Sequence, residues 1–575
     1  MTEEERRKIL SEDYGDIILD NRSDSRRFEE RFPDAVFHVM NDAFAILHIP
    51  ANQINSRTIV EFGYSAIPKL FGLTSEISLE ASGVEQLRTI PALNLRGEGV
   101  LIGIVDTGID YTNPAFLKSD GTSKIVSIWD QTIDIGQGFS REYEFESYFG
   151  TEYLQEQINQ ALVSENPLDI VPSIDEVGHG TMMAGIAAGT PNESFDFFGV
   201  APDAELVIVK LRQAKEYLKE FFSIPPNVQC FQENFIMWGI EYCALVGRYL
   251  NRPVVICLGL GTSQGGHDGR LAVSVLSNLI AEIPNIGFVV SAGNEGNRGR
   301  HYRGIIDPIT GYNTVELNVG EGETGFSMEI WGDSPGIFSI DIQSPSGEYI
   351  PRVAPSLTVQ RDISFIFERT VISMDYFTVE AETGDQLILL RFKNISPGVW
   401  RFNVYGQGEL SNSIHIWLPM GDFITTDTYF IQPDIYTTIV SPGNAYAVTT
   451  VTAYNPVNNN LYVNSSRGYS RALYVKPSLA APGVDYIAPG LGGEFIYYTG
   501  TGVAAAHTAG VVALVFEWSS VRGNLPGMDN VAMKSFLIRG ARRSPNISYP
   551  NRDWGYGILD VFNTFDFLRS NIGGF

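Results

Sequence analysis

The chain has 575 residues, of which 44% are hydrophobic and 12% aromatic, and its formal net charge at pH 7 is −27. This hydrophobic content is enough for large folded cores, so the composition excludes a chain that is disordered over most of its length. The acidic balance disfavours binding to nucleic acid and to anionic lipid, because both attract clustered Lys and Arg. We therefore expect a folded protein that does not bind nucleic acid.

The N-terminal residues and the cysteines both favour folding inside the cell that makes the protein. MTEEERRKILSEDYGD is charged throughout and lacks the apolar segment of a secretory signal. No run of about 18 apolar residues occurs, so no membrane span is expected. The three cysteines, Cys230, Cys243 and Cys257, are odd in number and form no CxxC motif. We interpret them as reduced core residues.

Residues 1–80 predict a small α+β unit, here called the N-terminal unit. The apolar runs in FHVMNDAFAILHIP, residues 37–50, are typical of strands. Residues 52–73 add a turn, an apolar segment and a proline-containing tail. A linker, residues 79–99, then separates this unit from the next part of the chain.

Residues 81–311 predict the first part of an α/β domain, here called the α/β core. Continuous apolar runs that end in turn residues are typical of parallel strands buried on both faces, and they occur at residues 100–108, 205–211, 253–261 and 286–294. Helices rich in small residues are predicted between these runs, at residues 180–189 and 271–283. The alternation indicates βαβ units and an open sheet with helices on both faces.

The pattern changes at residues 312–437, which we call the β insertion. Seven short β-rich segments, separated by Gly, Pro, Asn and Asp, predict an all-β jelly roll or sandwich. The α/β pattern returns over residues 438–575, which form the second part of the α/β core. There we predict a strand within residues 444–455, a strand, turn and long apolar helix within 495–519, and a helix at 531–543.

Three segments carry a pattern of chemical interest. Asp106 ends a buried strand in GIVDTGID, and His179 begins a small-residue helix in GHGTMMAGIAAG. Gly502 lies in the turn before a helix in GTGVAAAHTAG. A carboxylate, an imidazole and a hydroxyl in this chain order form one known serine nucleophile triad, but here the third position carries no side chain.

Asn294, in VVSAGNEGN, follows another predicted strand. Its side-chain amide is a donor of the kind that stabilises the oxyanion of an acyl-transfer transition state. No metal-ligand spacing stands out in the sequence, so we expect neither a metal nor a cofactor.

These segments together resemble the subtilisin-like serine proteases over residues 95–310 and 438–575. Further matching stretches are FGVAPDAELVIVKL, YSRALYVKPSLAAPGVDYIAPG and YPNRDWGYGILDV. GYSAIPKLFGL, the strand-rich insertion and CLGLGTSQGGHDG with VAAAHTAG resemble in particular the Csp proteases of clostridial spores. The resemblance implies an α/β fold with a mainly parallel sheet, a leading intramolecular-chaperone-like prodomain and a jelly-roll insertion.

The sequence departs from the active members of that family at two positions. Gly502 stands at the nucleophile position, and Gly259 stands where subtilisins usually carry a small polar residue lining the substrate cleft. Thr501 and Thr499 flank the turn, but both are poorly placed to replace the missing hydroxyl. The family resemblance makes His507 a packing residue, since His179 already supplies the imidazole of the triad. The interpretation is a pseudoprotease with an uncleaved prodomain.

For such a protein the resemblance implies a regulatory role in spore germination. The implied partners are other Csp proteins or the zymogen of a cortex hydrolase, and a small-molecule germinant is a further candidate ligand. The implied location is the spore, after synthesis in the mother-cell cytoplasm. Two alternatives remain open, namely an active endopeptidase that processes a cortex-hydrolase zymogen and a structural spore protein.

Overall fold

The structure is a computed structural model, and it describes residues 3–20, 32, 35–54, 58, 62–74, 76–77, 94–134, 149–355, 358–407 and 413–572. The predicted linker 79–99 lies outside the described residues up to residue 93. The elements of the N-terminal unit are α1 (Glu3–Leu10), β1 (Tyr14–Asp20), β2 (Val36–Val39), β3 (Phe44–Pro50), β4 (Leu70–Leu73) and β5 (Glu76–Ile77). Strands β1, β3 and β2 form an antiparallel sheet in that order.

The α/β core is built from two stretches of chain that share one sheet. The first stretch contains β6 (Leu101–Asp106), β7 (Ile125–Asp130), β8 (Thr151–Leu154), α2 (Gln155–Leu162), α3 (His179–Ala188), β9 (Glu205–Lys210), α4 (Glu216–Phe222), β10 (Phe231–Gln232), α5 (Glu233–Tyr249), β11 (Val254–Leu258), β12 (Leu260–Gly261), α6 (Ala272–Ala281) and β13 (Ile286–Ser291). The β insertion and the second stretch follow β13.

The β insertion forms two antiparallel sheets, of six and five strands, that share a buried core including Ile330, Trp400 and Phe402. Its strands are β14 (His301–Ile305), β15 (Tyr312–Val319), β16 (Gly325–Gly332), β17 (Ile337–Gln343), β18 (Tyr349–Val353), β19 (Thr358–Ser364), β20 (Val371–Phe377), β21 (Gln386–Lys393), β22 (Gly398–Gln407), β23 (Ser413–Trp417) and β24 (Tyr429–Phe430). The first strand therefore precedes residue 312, where the sequence placed the boundary. Arg303 and Gly304 interrupt the apolar run that would have revealed β14.

The second stretch completes the sheet of the α/β core. It contains β25 (Thr449–Asn455), β26 (Asn460–Leu461), β27 (Leu479–Pro482), β28 (Tyr486–Pro489), β29 (Phe495–Thr499), α7 (Thr501–Phe516), α8 (Asn530–Gly540) and α9 (Val561–Ile572). The nine-stranded sheet has the order β26-β25-β13-β11-β6-β9-β7-β8, with β27 also paired to β25. The pairs from β25 to β7 are parallel, and β8 and β26 are antiparallel edge strands.

Helices cover both faces of this sheet, because its central strands are apolar on both sides. Ile102 and Ile104 of β6 pack in a core with α3 and α7, whereas Leu101 and Val105 pack in a core with α5 and α6. The predicted α/β fold, with a largely parallel sheet and additional all-β sheets, is confirmed. The segment Thr501–Val521 is apolar and long enough to cross a membrane, but its most apolar 18-residue window is buried inside this core.

A buried carboxylate joins the N-terminal unit to the α/β core. Asp16 of β1 accepts hydrogen bonds from Lys215 Nζ at 2.9 Å, Gln232 Nε2 at 2.5 Å and Asn234 Nδ2 at 3.1 Å. Its Oδ1 also lies 2.7 Å from Nδ1 of His48. Burial alone would raise the pKa of Asp16, but Lys215 and His48 outweigh it and hold this pKa well below its usual range.

Replacing Asp16 by Asn should weaken the attachment of the N-terminal unit, because it leaves the buried Lys215 ammonium without its counter-charge. The expected loss is about 3–5 kcal/mol in the free energy of unfolding, read from the urea midpoint. Because the folded-state pKa is lowered, the contribution of Asp16 is full above its unfolded pKa and is lost as the pH falls toward the folded one. Asp13→Asn, at an exposed position of the same unit, is the control. Equal midpoints for the two variants would contradict the assignment.

Candidate active site

Asp106 and His179 form a buried pair where β6 ends and α3 begins. Oδ1 of Asp106 lies 2.7 Å from Nδ1 of His179, and the two residues are 1% and 6% exposed. The two segments approach closely because Gly180 has no side chain, since a Cβ there would lie 2.1 Å from the carbonyl oxygen of Gly108. Nε2 of His179 is buried and has no hydrogen-bond partner among the described residues. This geometry is that of an imidazole oriented by a carboxylate, with its second nitrogen available.

The family resemblance assigns the hydroxyl that would face this nitrogen to residue 502, and the structure places Gly502 in the first turn of α7. The neighbouring Thr501 cannot replace the hydroxyl, because its Oγ1 donates to Oδ1 of Asn294 at 3.1 Å and accepts from the N–H of Gly293 at 3.0 Å. The hydroxyl of Thr499 accepts from the backbone N–H of Asp485 at 3.4 Å. Both threonine hydroxyls are therefore directed at structural partners.

Asn294 is held at the N-terminus of α7 by two contacts to Thr501. Its Oδ1 accepts from the backbone N–H of Thr501 at 3.2 Å and from the hydroxyl at 3.1 Å. Since both partners are donors, they fix which side-chain atom is the oxygen and leave Nδ2 as the donor of this amide. Asn294 thus presents a donor amide at the N-terminus of α7, beside Thr501, the residue before Gly502, and an amide of this kind can serve as an oxyanion donor.

The tail of the N-terminal unit, residues 70–74 and 76–77, lies along the cleft and contributes the strands β4 and β5. β4 pairs antiparallel with β12 on one side and with β10 on the other, and β5 pairs antiparallel with β29. The N–H of Thr74 donates to the carbonyl oxygen of Gly259 at 3.1 Å, and the N–H of Gly502 donates to the carbonyl oxygen of Thr74 at 2.9 Å. In a serine protease that backbone N–H stabilises the oxyanion, so Thr74 occupies the place of the residue whose carbonyl is attacked.

The side chain of Thr74 contacts polar groups of two segments of the α/β core. It is fully buried, and its hydroxyl lies 2.6 Å from the carbonyl oxygen of Gly259 and 2.9 Å from Oγ of Ser291. Val440 lies between the same two segments, because a Cβ on Gly261 would be 2.2 Å from its Cγ2 and a Cβ on Gly293 would be 2.7 Å from its Cγ1. The position therefore suits a small hydroxyl side chain.

Gly259, the second departure noted in the sequence, packs directly against the imidazole. A Cβ at this position would lie 2.8 Å from Cε1 of His179 and 2.9 Å from Cε of Met183. A side chain here would force His179 or Met183 to move. The present position of the imidazole is therefore compatible only with a glycine at residue 259.

His507 and the three cysteines, which the sequence predicts as packing residues, lie in the core. His507 is 3% exposed, its Nδ1 lies 3.2 Å from the hydroxyl of Tyr486, and burial lowers its pKa to about 3. All three cysteines are free and buried, and burial raises the pKa of Cys230 to about 12. Among the residues that the structure describes, no group of three or more His, Cys, Asp or Glu could hold a metal ion.

The structure thus brings Asp106, His179, Gly502 and Asn294 together around Thr74. Sequence reasoning identified these four because each lies in a short local motif. It did not identify Thr74, Ser291 or Val440 as parts of the site, because no motif marks them and they meet only through long-range packing.

Comparisons with known proteins agree with this geometry. The sequence profile of the Subtilase family matches residues 97–316 and 432–557, which is more than half of the chain. The structure of the CspB protease of Clostridium perfringens is similar to this chain with a TM-score of 0.74 and 30% sequence identity. That similarity covers 85% of this chain and 98% of the CspB protease chain.

Curated relatives match over smaller shares of their own length. The subtilisin-like protease SBT3.8 of Arabidopsis thaliana is 24% identical over 73% of this chain and 56% of its own sequence. The Arabidopsis thaliana protease SBT1.9 is 31% identical over 25% of this chain and 19% of its own sequence. The chain therefore spans from about a fifth to just over half of the length of these two relatives. Because the family profile matches more than half of the chain, and because the chain covers nearly all of a solved relative at 30% identity, the chain belongs to the subtilase family.

Proposed function

We propose that this subtilase is a pseudoprotease that regulates spore germination by binding instead of cleaving. The observation that carries the proposal is the hydrogen bond from the Gly502 N–H to the Thr74 carbonyl, 2.9 Å long, next to an imidazole that lacks a hydroxyl partner. The tail still binds at Gly502 as a substrate would, but residue 502 offers no nucleophile. In subtilisin, loss of the serine lowers kcat by about 2 × 10⁶, which leaves too little turnover for a useful protease.

The similarity to the CspB protease supports the germination role and the class of partner. We propose that the protein acts in the spore on an active Csp protease or on the zymogen of a cortex hydrolase, and that it responds to a germinant. Without chemistry, a signal must be transmitted as a difference in binding between two conformations. The docked N-terminal unit and the β insertion provide large interfaces at which such a difference can arise.

A second candidate, an active endopeptidase, is favoured by the intact Asp106–His179 pair and by the orientation of Asn294. A fluorophosphonate probe of serine nucleophiles distinguishes the two candidates. Labelling of the purified chain in its folded state, lost in a His179→Ala variant, would support the endopeptidase and reject the pseudoprotease.

The Gly502→Ser variant should cleave itself after Thr74, because it restores a hydroxyl at the nucleophile position of the family, in the residue whose N–H contacts the Thr74 carbonyl at 2.9 Å. The wild-type chain, which has no nucleophile, should purify as one intact polypeptide. Intact-mass spectrometry checks both outcomes, and Gly502→Ser combined with His179→Ala is the matched control. A stoichiometric break in the wild type after residue 74 would refute the pseudoprotease. A folded Gly502→Ser variant that stays intact would show that the loss extends beyond residue 502.

Thr74→Val should loosen the tail from the cleft without changing its shape, because it removes the side-chain hydrogen bonds to the Gly259 carbonyl and to the Ser291 hydroxyl and leaves only the backbone N–H on the Gly259 carbonyl. The expected cost is about 1–3 kcal/mol, seen as faster hydrogen exchange of the Gly502 amide and of residues 70–74. Thr314→Val, at an exposed position of β15, serves as the control. Unchanged exchange in Thr74→Val would mean that the hydroxyl contributes nothing to docking.

Spores that carry Gly502→Ala should germinate at the wild-type rate, because this change restores no hydroxyl. Spores that carry Asp16→Asn should germinate abnormally, because that variant disturbs the interface with the N-terminal unit. Germination is followed by the loss of optical density, with protein abundance measured by immunoblot. A germination defect in Gly502→Ala spores with normal protein abundance would show that Gly502 has a direct role in the signal.

A further inference from the structure

A cavity of about 420 Å³, here called the α3 cavity, opens at the surface beside the start of helix α3. Its walls come from three segments of the α/β core, namely residues 110–112 after β6, residues 167–175 before α3, and Leu491 between β28 and β29. A Cβ on Gly178, the residue before His179, would lie 3.3 Å from Cγ of Leu491. The α3 cavity therefore lies next to the candidate active site, and its volume is typical of ligand-binding pockets.

Three aliphatic side chains in the walls of the α3 cavity are open to solvent. Leu168 is 49% exposed, Ile174 is 40% exposed and Leu491 is 37% exposed. The apolar surface continues onto β29, because the side chain of Ile496, which is 39% exposed, would lie 3.3 Å from a Cβ on Gly490. Exposed aliphatic groups that share one concave surface mark an interaction site, whereas singly scattered ones do not.

Hydrogen bonds hold the segments that carry these side chains. Asp175, which follows Ile174, accepts four hydrogen bonds of 2.7–3.0 Å from residues at the start of α3. Oδ2 of Asp110 accepts from the N–H of Gly492, the neighbour of Leu491, at 3.0 Å. The aliphatic walls are thus in place before a ligand arrives, which reduces the entropic cost of binding.

The hydroxyl groups of the α3 cavity are already engaged inside the protein. The hydroxyl of Tyr111 donates to the carbonyl oxygen of Val171 at 2.9 Å, and the hydroxyl of Ser173 donates to Oδ2 of Asp130 at 2.6 Å. Since these groups use their protons within the fold, a polar ligand group gains little from them. The α3 cavity therefore favours an apolar group.

The charge around the α3 cavity is negative. Asp110 and Asp175 receive their hydrogen bonds from neutral N–H and O–H groups, and no Lys or Arg of the described residues forms an ion pair with either carboxylate. Asp169 and Glu176, which adjoin wall residues in the chain, add exposed carboxylates. No Lys or Arg occurs in the stretches that contain the three wall segments, which are residues 97–117, 142–209 and 477–521. Positive charge beside the apolar group of a ligand is therefore favoured.

We propose that the α3 cavity binds a large apolar side chain, flanked by Lys or Arg, of a partner protein. Because the apolar surface extends from the cavity onto β29, it suits an extended peptide segment better than an isolated small molecule. The strand partners of the tail, residues 231–232, 260–261 and 498–499, are not part of the cavity, so the partner can bind while the tail lies in the cleft. The inference goes beyond the proposed function and holds whether or not the cleft cleaves peptides.

The peptide acetyl-Lys-Phe-Lys-amide is the probe, titrated into the whole protein with labelled Ile, Leu and Val methyl groups and followed by NMR. Saturable shifts centred on the methyl groups of Leu168, Ile174 and Leu491 are expected. The expected dissociation constant is on the order of 1 mM, since so small a ligand has few atoms with which to bind. Acetyl-Lys-Ala-Lys-amide, which lacks the apolar group, and acetyl-Glu-Phe-Glu-amide, which the acidic surroundings repel, should each bind about tenfold more weakly.

Ile174→Ser should weaken binding of acetyl-Lys-Phe-Lys-amide about fivefold, because it removes part of the apolar wall. Ile309→Ser is the matched control, since Ile309 is also an exposed isoleucine, 92% exposed, but lies in the β insertion. If Ile174→Ser fails to fold, Leu168→Ser tests the same wall. Asp169→Lys combined with Glu176→Lys should reverse the charge preference, so that acetyl-Glu-Phe-Glu-amide becomes the tighter ligand.

The proposal is overturned by the absence of saturable shifts at about 50 times the expected dissociation constant. Equal binding of the Phe and Ala peptides, equal binding to the wild type and both wall variants, or shifts centred on Val440 in the cleft would overturn it as well. An unchanged charge preference in the double Lys variant would refute the basic flanks. Methyl shifts that grow with protein concentration without peptide would identify a second copy as the occupant, and contacts with residues 79–93 would identify the chain itself. Either result would overturn the assignment to a partner.

Discussion

The hydrogen bond between the Gly502 N–H and the Thr74 carbonyl joins the tail of the N-terminal unit to the cleft of the α/β core. It is 2.9 Å long and lies between β4 and β5, the two strands of the tail that pair with strands of the cleft. From this point β4 and β5 extend in opposite directions and pair with strands of the α/β core. The tail of the N-terminal unit is thus attached through the same kind of contacts that a peptide substrate would use, in addition to the contacts of Asp16.

The sheet of the α/β core makes that hydrogen bond possible. Parallel strands end at a common edge, so Asp106 at the end of β6 and Asn294 after β13 lie near the N-termini of helices α3 and α7. Helix α7 is almost uniformly apolar and is buried throughout, which fixes the first turn at Gly502. The position of residue 502 therefore depends on the packing of α7, and this packing does not require a side chain at residue 502.

The sequence was most informative where a few adjacent residues determine both the backbone and the chemistry. Asp106, His179, Asn294 and Gly502 each lie in a short segment rich in small residues, and these local motifs alone indicate them as site residues. The roles of Thr74, Ser291 and Val440 could not be predicted in this way. Their partners lie far away in the sequence, and an ordinary Thr, Ser or Val in a loop or strand carries no local signal of such a contact.

Covalent attachment of the tail has a consequence for competition at the cleft. In the proposed uncut protein, residues 70–74 and 76–77 belong to the same chain as the cleft, so their effective concentration there is on the order of millimolar or higher. A free peptide from the cell must exceed this concentration, or bind correspondingly more tightly, before it can replace the tail. The cleft is thereby insulated from the ordinary pool of peptides, and only a partner that gains binding energy on additional surfaces of the protein can open it.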